Sequence, residues 1–213
     1  MSDPLRSPAL KPRKKPAQLR SAETVACIIE AAARILEERG FAGYTTNAVA
    51  EKAGVGVGSL YQYFPGKDAL TAALIERETA VLLDDVAEAE RAASGAQGLK
   101  QLIRAAVAHQ MRRPALARLL DFEEQRLPLE LEVGRVSFRL EQAIVRLLAR
   151  MAQESPADPQ QAAADMLAIC KGMVDAAGQR GETDAASLEG RVARAIFGYL
   201  EPLRPGRDAA LEA

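Results

Sequence analysis

The chain has 213 residues and a net charge of −1, with 48% apolar residues, 4% aromatic residues and no Trp. That length allows one large or two small domains with a sizeable core, and an Ala-rich, aromatic-poor composition favours packed helices over a sheet. No run approaches the roughly 18 uncharged apolar residues of a membrane span, and no apolar signal stretch opens the chain, so a cytoplasmic protein without a membrane partner is expected.

Residues 1–20 carry four prolines and no apolar period, and read as a flexible arm. Their six cations stand against Asp3 alone, a net of +5 that leaves −6 for the rest of the chain. The run KPRKKP fits either an arm that follows a DNA backbone or a solvated tail, and both readings stand. Ser21 is the expected N-cap of a helix running to about Arg39, with Val25, Ile28, Ala32, Ile35 and Leu36 as its buried stripe. Gly40 should end it, and Phe41 should plug the core beyond. Cys27 lies within this pattern, Cys170 in a later one, and with neither CxxC spacing nor a nearby His both are expected to be buried reduced thiols, with a redox-sensing role as the alternative.

The next stretch, TTNAVAEKAGVGVGSLYQYFPGK from Thr45 to Lys67, reads as helix, turn, short helix and stop. Ala48, Val49 and Ala53 share one helical face, and Gly54 stands where a helix end tolerates positive φ. The second run, Val57 to Phe64, is too short to stand alone and ends before Pro65, so it must dock on its neighbours. A step of roughly 100° per residue puts Leu60 and Phe64 on the docked side with Val57 nearby, and turns Gly58, Ser59 and Gln62 outward. Tyr61 and Tyr63 flank that outward face. Small residues permit close approach to a major groove, Gln62 can bridge an adenine edge, and the tyrosines and Lys67 can meet phosphates.

From Val25 to Leu70 the chain resembles the DNA-binding signature of the TetR/AcrR family of transcriptional regulators, most specifically in AGV, GSLYQYF and the GK followed by an acidic residue and a leucine. The resemblance implies that Thr45, Thr46, Asn47, Val57, Gly58, Ser59, Tyr61, Gln62, Tyr63 and Lys67 lie at DNA. Two positions depart from the pattern. Tyr44 stands where many members carry threonine, and Gly56 replaces the serine that would cap the reading helix, at a cost of only a few tenths of a kcal/mol.

Downstream, helical patterns run from Asp68 to about Ala93, from about Gly98 to Met111 after the break SGAQG, from Pro114 to the break LPL at 127–129, and from Glu130 to about Gln153. Asp158 followed by Pro159 opens a helix to about Arg180, and a last one spans about Ala185 to Leu200. The apolar stripes of those two helices could close a monomeric bundle. In proteins that resemble this one they meet their copies instead, which makes Met166, Cys170, Met173, Val192, Ile196 and Tyr199 the expected homodimer interface. A dimer also reads two half-sites, which one short helix cannot.

Gly54, Gly56 and Gly58 do not make a dinucleotide loop, since Ser59 stands at the third glycine and no strand precedes. His109 is the only histidine, which leaves no His-based metal cluster, and no cofactor is expected. It fits an ordinary helix position or a polar contact in a ligand cavity with apolar walls such as Phe122 and Phe138.

The expected fold is all-α. A basic arm (1–20) precedes a three-helix helix-turn-helix head (21–67), a helical domain for ligand binding and dimerisation (68–203) and a tail (204–213). The expected function is a homodimeric repressor that binds a pseudo-palindromic double-stranded operator and is released by a small, largely apolar inducer. Activation, a helical enzyme and a protein-only adaptor are the alternatives.

Overall fold

The structure is a computed structural model and describes residues 19–127, 130–151 and 156–201. Most of the basic arm, the LPL break past Leu127 and the C-terminal tail lie outside the described residues. Those residues form nine helices and no strand: α1 Leu19–Gly43, α2 Thr46–Lys52, α3 Val57–Tyr63, α4 Lys67–Glu90, α5 Gly95–Arg112, α6 Pro114–Arg126, α7 Glu130–Leu148, α8 Pro159–Gln179 and α9 Ala185–Leu200.

Two compact units share these helices, one of residues 1–80 and 113–134, the other of 81–112 and 135–213. The division does not fall at residue 67. The first half of α4 and all of α6 belong with the helix-turn-helix, because Leu70, Leu74, Ile75, Leu116 and Leu120 are buried in the same core as Ile28, Leu36, Val49, Leu60 and Phe64. Burying each such aliphatic side chain contributes about 1.5–3 kcal/mol, which is what holds a two-turn helix such as α3 in place.

Local chemistry explains the breaks in the first unit. α1 is already helical at Leu19, so Ser21 lies inside it and is not its cap. The stop at Gly40 is a left-handed residue, φ 57°, after which one more turn reaches Gly43. Gly54, φ 68°, ends α2 in the same way. Phe41 packs against the core but is only partly buried; Tyr44, 1% exposed, fills the core together with Phe64. Cys27 is exposed, contrary to the expected burial, since Ile28 and Ile29 take the inward positions beside it. Outside the core, Arg113 bonds Glu37 and Glu30 and Arg77 also bonds Glu30, tying α1 to α4 and α6.

In the second unit Val86, Leu99, Ile103, Leu147, Met166, Val192 and Ile196 belong to one core. The break before α5 falls at residues 91–94, earlier than most of SGAQG: α5 starts at Gly95 and carries Gly98 in its second turn. A Cβ on Gly98 would stand 2.7 Å from the Ala89 carbonyl oxygen and also meet the Leu147 side chain, so tertiary closeness overrides the poor helix propensity of glycine. The expected cap of α8 is in place, with Asp158 accepting from the Gln160 and Gln161 amides at 3.0 Å each. α9 is capped likewise by Asp184, which accepts from Ser187 N at 2.9 Å. No described helix is long and apolar enough to cross a membrane.

Candidate nucleic-acid interface

The docking of α3 decides what it shows. Leu60 and Phe64 are fully buried, and on the opposite side Gly58, Ser59, Tyr61 and Gln62 are exposed. A Cβ on Gly58 would meet nothing within 4 Å, so this face is open to a close approach. Val57 joins the open side at 38% exposure instead of packing with Leu60. Gly56 occupies the N-cap with no side-chain bond, as its lack of a hydroxyl requires.

The residues before α2 arrange this surface. Thr45 caps α2, its hydroxyl accepting from the Ala48 amide at 3.1 Å. The Thr46 hydroxyl lies 3.1 Å from the Tyr61 hydroxyl, a bond from the start of α2 to the middle of α3. Asn47 and Lys67 are exposed. The structure thus gathers Thr45, Thr46, Asn47, Val57, Gly58, Ser59, Tyr61, Gln62 and Lys67 within one unit as surface groups, the Thr45 hydroxyl accepting its cap bond and keeping its proton to donate. Tyr63 differs from Tyr61: its ring leans partly on the core. Lys52 at the other end of α2 bonds both oxygens of Glu38 at 2.6 and 2.7 Å, which ties α2 to α1.

Sequence reasoning missed Tyr44. Its phenol oxygen is 3.2 Å from the Thr71 hydroxyl, and Lys67 Nζ stands 5.6 Å from its ring centroid. Burial pushes the Tyr44 phenol well above its ordinary pKa, so it stays protonated. The only sequence signal was that an aromatic stood where the family pattern carries a smaller residue.

In the second unit the expected interface residues divide. Met166, Val192 and Ile196 are 1%, 0% and 3% exposed in a single chain, so they are core and offer a second copy no surface. Cys170 and Met173 are half-buried, and Tyr199 is exposed, donating to Asp165 at 2.7 Å. Burial, with Asp175 nearby, pushes the Cys170 thiol up to about 11, which keeps it protonated and unreactive.

The expected ligand contacts also separate. Phe122 and Phe138 are 62% and 60% exposed, so neither ring is enclosed by its own unit; Phe122 tilts against Phe41 with centroids 6.3 Å apart. His109 is half-buried in the last turn of α5. The neighbouring Gln110 is 4% exposed, and its amide nitrogen has no hydrogen-bond partner among the described residues. Gly178 leaves it room, since a Cβ there would overlap that nitrogen.

A capped helix, a glycine turn and a docked two-turn helix with an outward polar face define a helix-turn-helix DNA-binding protein. The comparisons with known proteins agree. Residues 28–74 match the model of bacterial regulatory proteins of the tetR family, and residues 96–200 match that of the tetracyclin repressor-like C-terminal domain. Among solved structures, a TetR transcription regulator from Haloarcula marismortui covers 84% of this chain and 97% of its own, at 19% identity and a TM-score of 0.71. The fatty acid degradation regulator FadR from Bacillus halodurans covers 84% and 99%, at 19% identity and 0.69. A tetR-family regulatory protein from Rhodococcus covers 85% and 99%, at 18% identity and 0.69. No curated protein matches the sequence. The chain belongs to the TetR family of transcriptional regulators.

Proposed function

We propose that the chain is a homodimeric repressor that binds a pseudo-palindromic DNA operator and leaves it when a small, largely apolar molecule enters the C-terminal bundle. The observation that carries this reading is the split of α3, with Leu60 and Phe64 fully buried and Gly58, Ser59 and Gln62 exposed. Gln62 reads a base edge, and Thr46, Tyr61 and Lys67 meet phosphates. Dimerisation uses the faces of α8 and α9 on which Cys170, Met173 and Tyr199 keep exposed surface. In the inducer site Gln110 supplies a donor that an oxygen of the ligand would satisfy, with His109 beside it. To swing operator occupancy from 99:1 to 1:99 the inducer needs about 5.5 kcal/mol of preference for the released state.

Fluorescence anisotropy with DNA from upstream of the chain's own gene tests this. Wild type should bind tightly. Gln62→Ala should lose about 1–3 kcal/mol per half-site and relax preference at one base position. Lys67→Ala should weaken all sequences alike and flatten the salt dependence. The same sequence-independent loss in both variants would remove the base-reading role from Gln62, and no binding at all would remove the reading itself.

A further inference from the structure

Lys67 is held in a way its position does not require. It is the first residue of α4, where the positive end of the helix dipole disfavours a cation. Among the described residues no carboxylate forms an ion pair with it, whereas Lys52, Arg77 and Arg113 in the same unit all have one. Its ammonium lies instead over the face of Tyr44, 5.6 Å from the centroid. That ring cannot swing aside, because Tyr44 is 1% exposed and packs in the core.

The backbone of Lys67 is tied to the same side chain. The Thr71 hydroxyl, fully buried, is 3.0 Å from the Lys67 carbonyl oxygen and 3.2 Å from the Tyr44 phenol oxygen. The Thr71 hydroxyl is the donor in both contacts, its one proton shared between the Lys67 carbonyl oxygen and the phenol oxygen. The phenol, the Thr71 hydroxyl and the Lys67 carbonyl form one chain of hydrogen bonds. Tyr44 therefore grips the lysine at its carbonyl through Thr71 and at its ammonium through the ring.

We propose that Tyr44 is a positioning residue for DNA binding: its ring holds the Lys67 ammonium in place, so the charge meets a phosphate oxygen without first being ordered. This rests on the DNA-binding reading above and adds to it the residue that sets the position of Lys67. A lysine ammonium on a four-carbon stem loses rotamer freedom when it binds a phosphate, and a ring that orders it beforehand lowers that loss. A carboxylate partner would order it equally but neutralise the charge the phosphate needs. An aromatic face orders the cation and leaves its charge.

The test needs no operator, because a phosphate contact is independent of sequence. Binding of a random-sequence duplex is measured against salt for wild type, Lys67→Ala, Tyr44→Leu and the double variant. Lys67→Ala should reduce the salt slope by about 1 per protomer. Tyr44→Leu should weaken binding about two- to fivefold at fixed salt, and the double variant should bind like Lys67→Ala alone. Losses that multiply would show that Tyr44 acts only through the core, overturning its positioning role while the DNA reading stands. An unchanged slope in Lys67→Ala would instead overturn the role of Lys67 at DNA, and this proposal with it. Should Tyr44→Leu not fold, the wild-type protein still decides by NMR. The Lys67 Hε protons should lie upfield of those of other exposed lysines through the ring current, and coincidence with them would overturn the proposal.

Discussion

In the reading unit Gly54 and Gly58 face open space, whereas Gly95, Gly98 and Gly178 of the bundle are crowded by their neighbours. The same residue type thus marks opposite conditions. At Gly58 a side chain would meet only solvent, and at Gly95 the room is already filled from within. The contrast can be broken with two variants. In Gly95→Ala the new methyl would run into the Leu147 carbonyl and lie 2.7 Å from Met151 Cγ, and overpacking of that kind costs about 1–3 kcal/mol. Gly58→Ala meets nothing within 4 Å, so folding stability should hold or rise by up to about 1 kcal/mol while DNA affinity falls. Urea denaturation and anisotropy on both variants decide. A destabilised Gly58→Ala or a neutral Gly95→Ala would end the comparison.

The units also differ in how their charges are arranged. In the first, Glu30 receives Arg34, Arg77 and Arg113 together, with Glu37 sharing Arg113. In the second, Glu182 receives only Arg180 and Arg191 among the described residues, and Arg104 to Glu189 and Arg146 to Glu90 are single side-chain pairs near solvent, worth about 0.2–1 kcal/mol each. Burial pushes the Glu30 carboxyl up, but hydrogen bonds from Arg34, Arg113 and Arg77 and the Arg113 charge outweigh it and hold it below 4.5. A depressed carboxyl contributes stability that is complete above its ordinary value and is lost as pH falls through the folded one. The first unit should therefore weaken on acidification below about pH 4.5. Arg113→Ala should lower its stability at neutral pH by roughly 1 kcal/mol and make the acid-side loss shallower. Thermal melts between pH 3 and 7 check both, and an unchanged acid slope in Arg113→Ala would remove Arg113 as a cause of the Glu30 shift.

Periodicity and punctuation made much of this fold legible, and their limits explain the rest. Gly54, Pro114, Asp158 and Pro159 act where local chemistry alone decides, so their roles could be read directly. The outward turn of Gln62 followed from the helical step once Leu60 and Phe64 were placed inside. The break before α5 was real but placed too late, because the cost of a helical glycine is local while its reward at Gly95 and Gly98, the approach of Leu147, comes from a distant helix. Met166, Val192 and Ile196 misled for another reason. An apolar stripe says that a face is covered, not whether its own chain or a copy covers it, and here its own chain does. Tyr44 was hidden because an aromatic between Gly43 and Thr45 has no period; only the fold shows that it reaches Thr71 and Lys67.

The smallest expected effect tests whether the reading helix is held by its core face or by its ends. α2 begins on the Thr45 cap, while α3 begins on Gly56 with no side-chain cap. Gly56 already has the extended backbone of a cap residue, φ −65° and ψ 143°. A Cβ there would find only Ser59 Oγ, at 3.8 Å, an ordinary contact. Gly56→Ser should therefore add a side-chain bond to an amide of the first turn and stabilise the unit by a few tenths of a kcal/mol. If Leu60 and Phe64 alone fix α3, DNA affinity will stay within experimental error of wild type. A gain in affinity well beyond the gain in stability would mean that the first turn of α3 frays in the free protein, and that the glycine leaves it loose where the helix meets DNA. Amide hydrogen exchange at Gly58 and Ser59 in the two proteins, read beside their affinities, separates these cases.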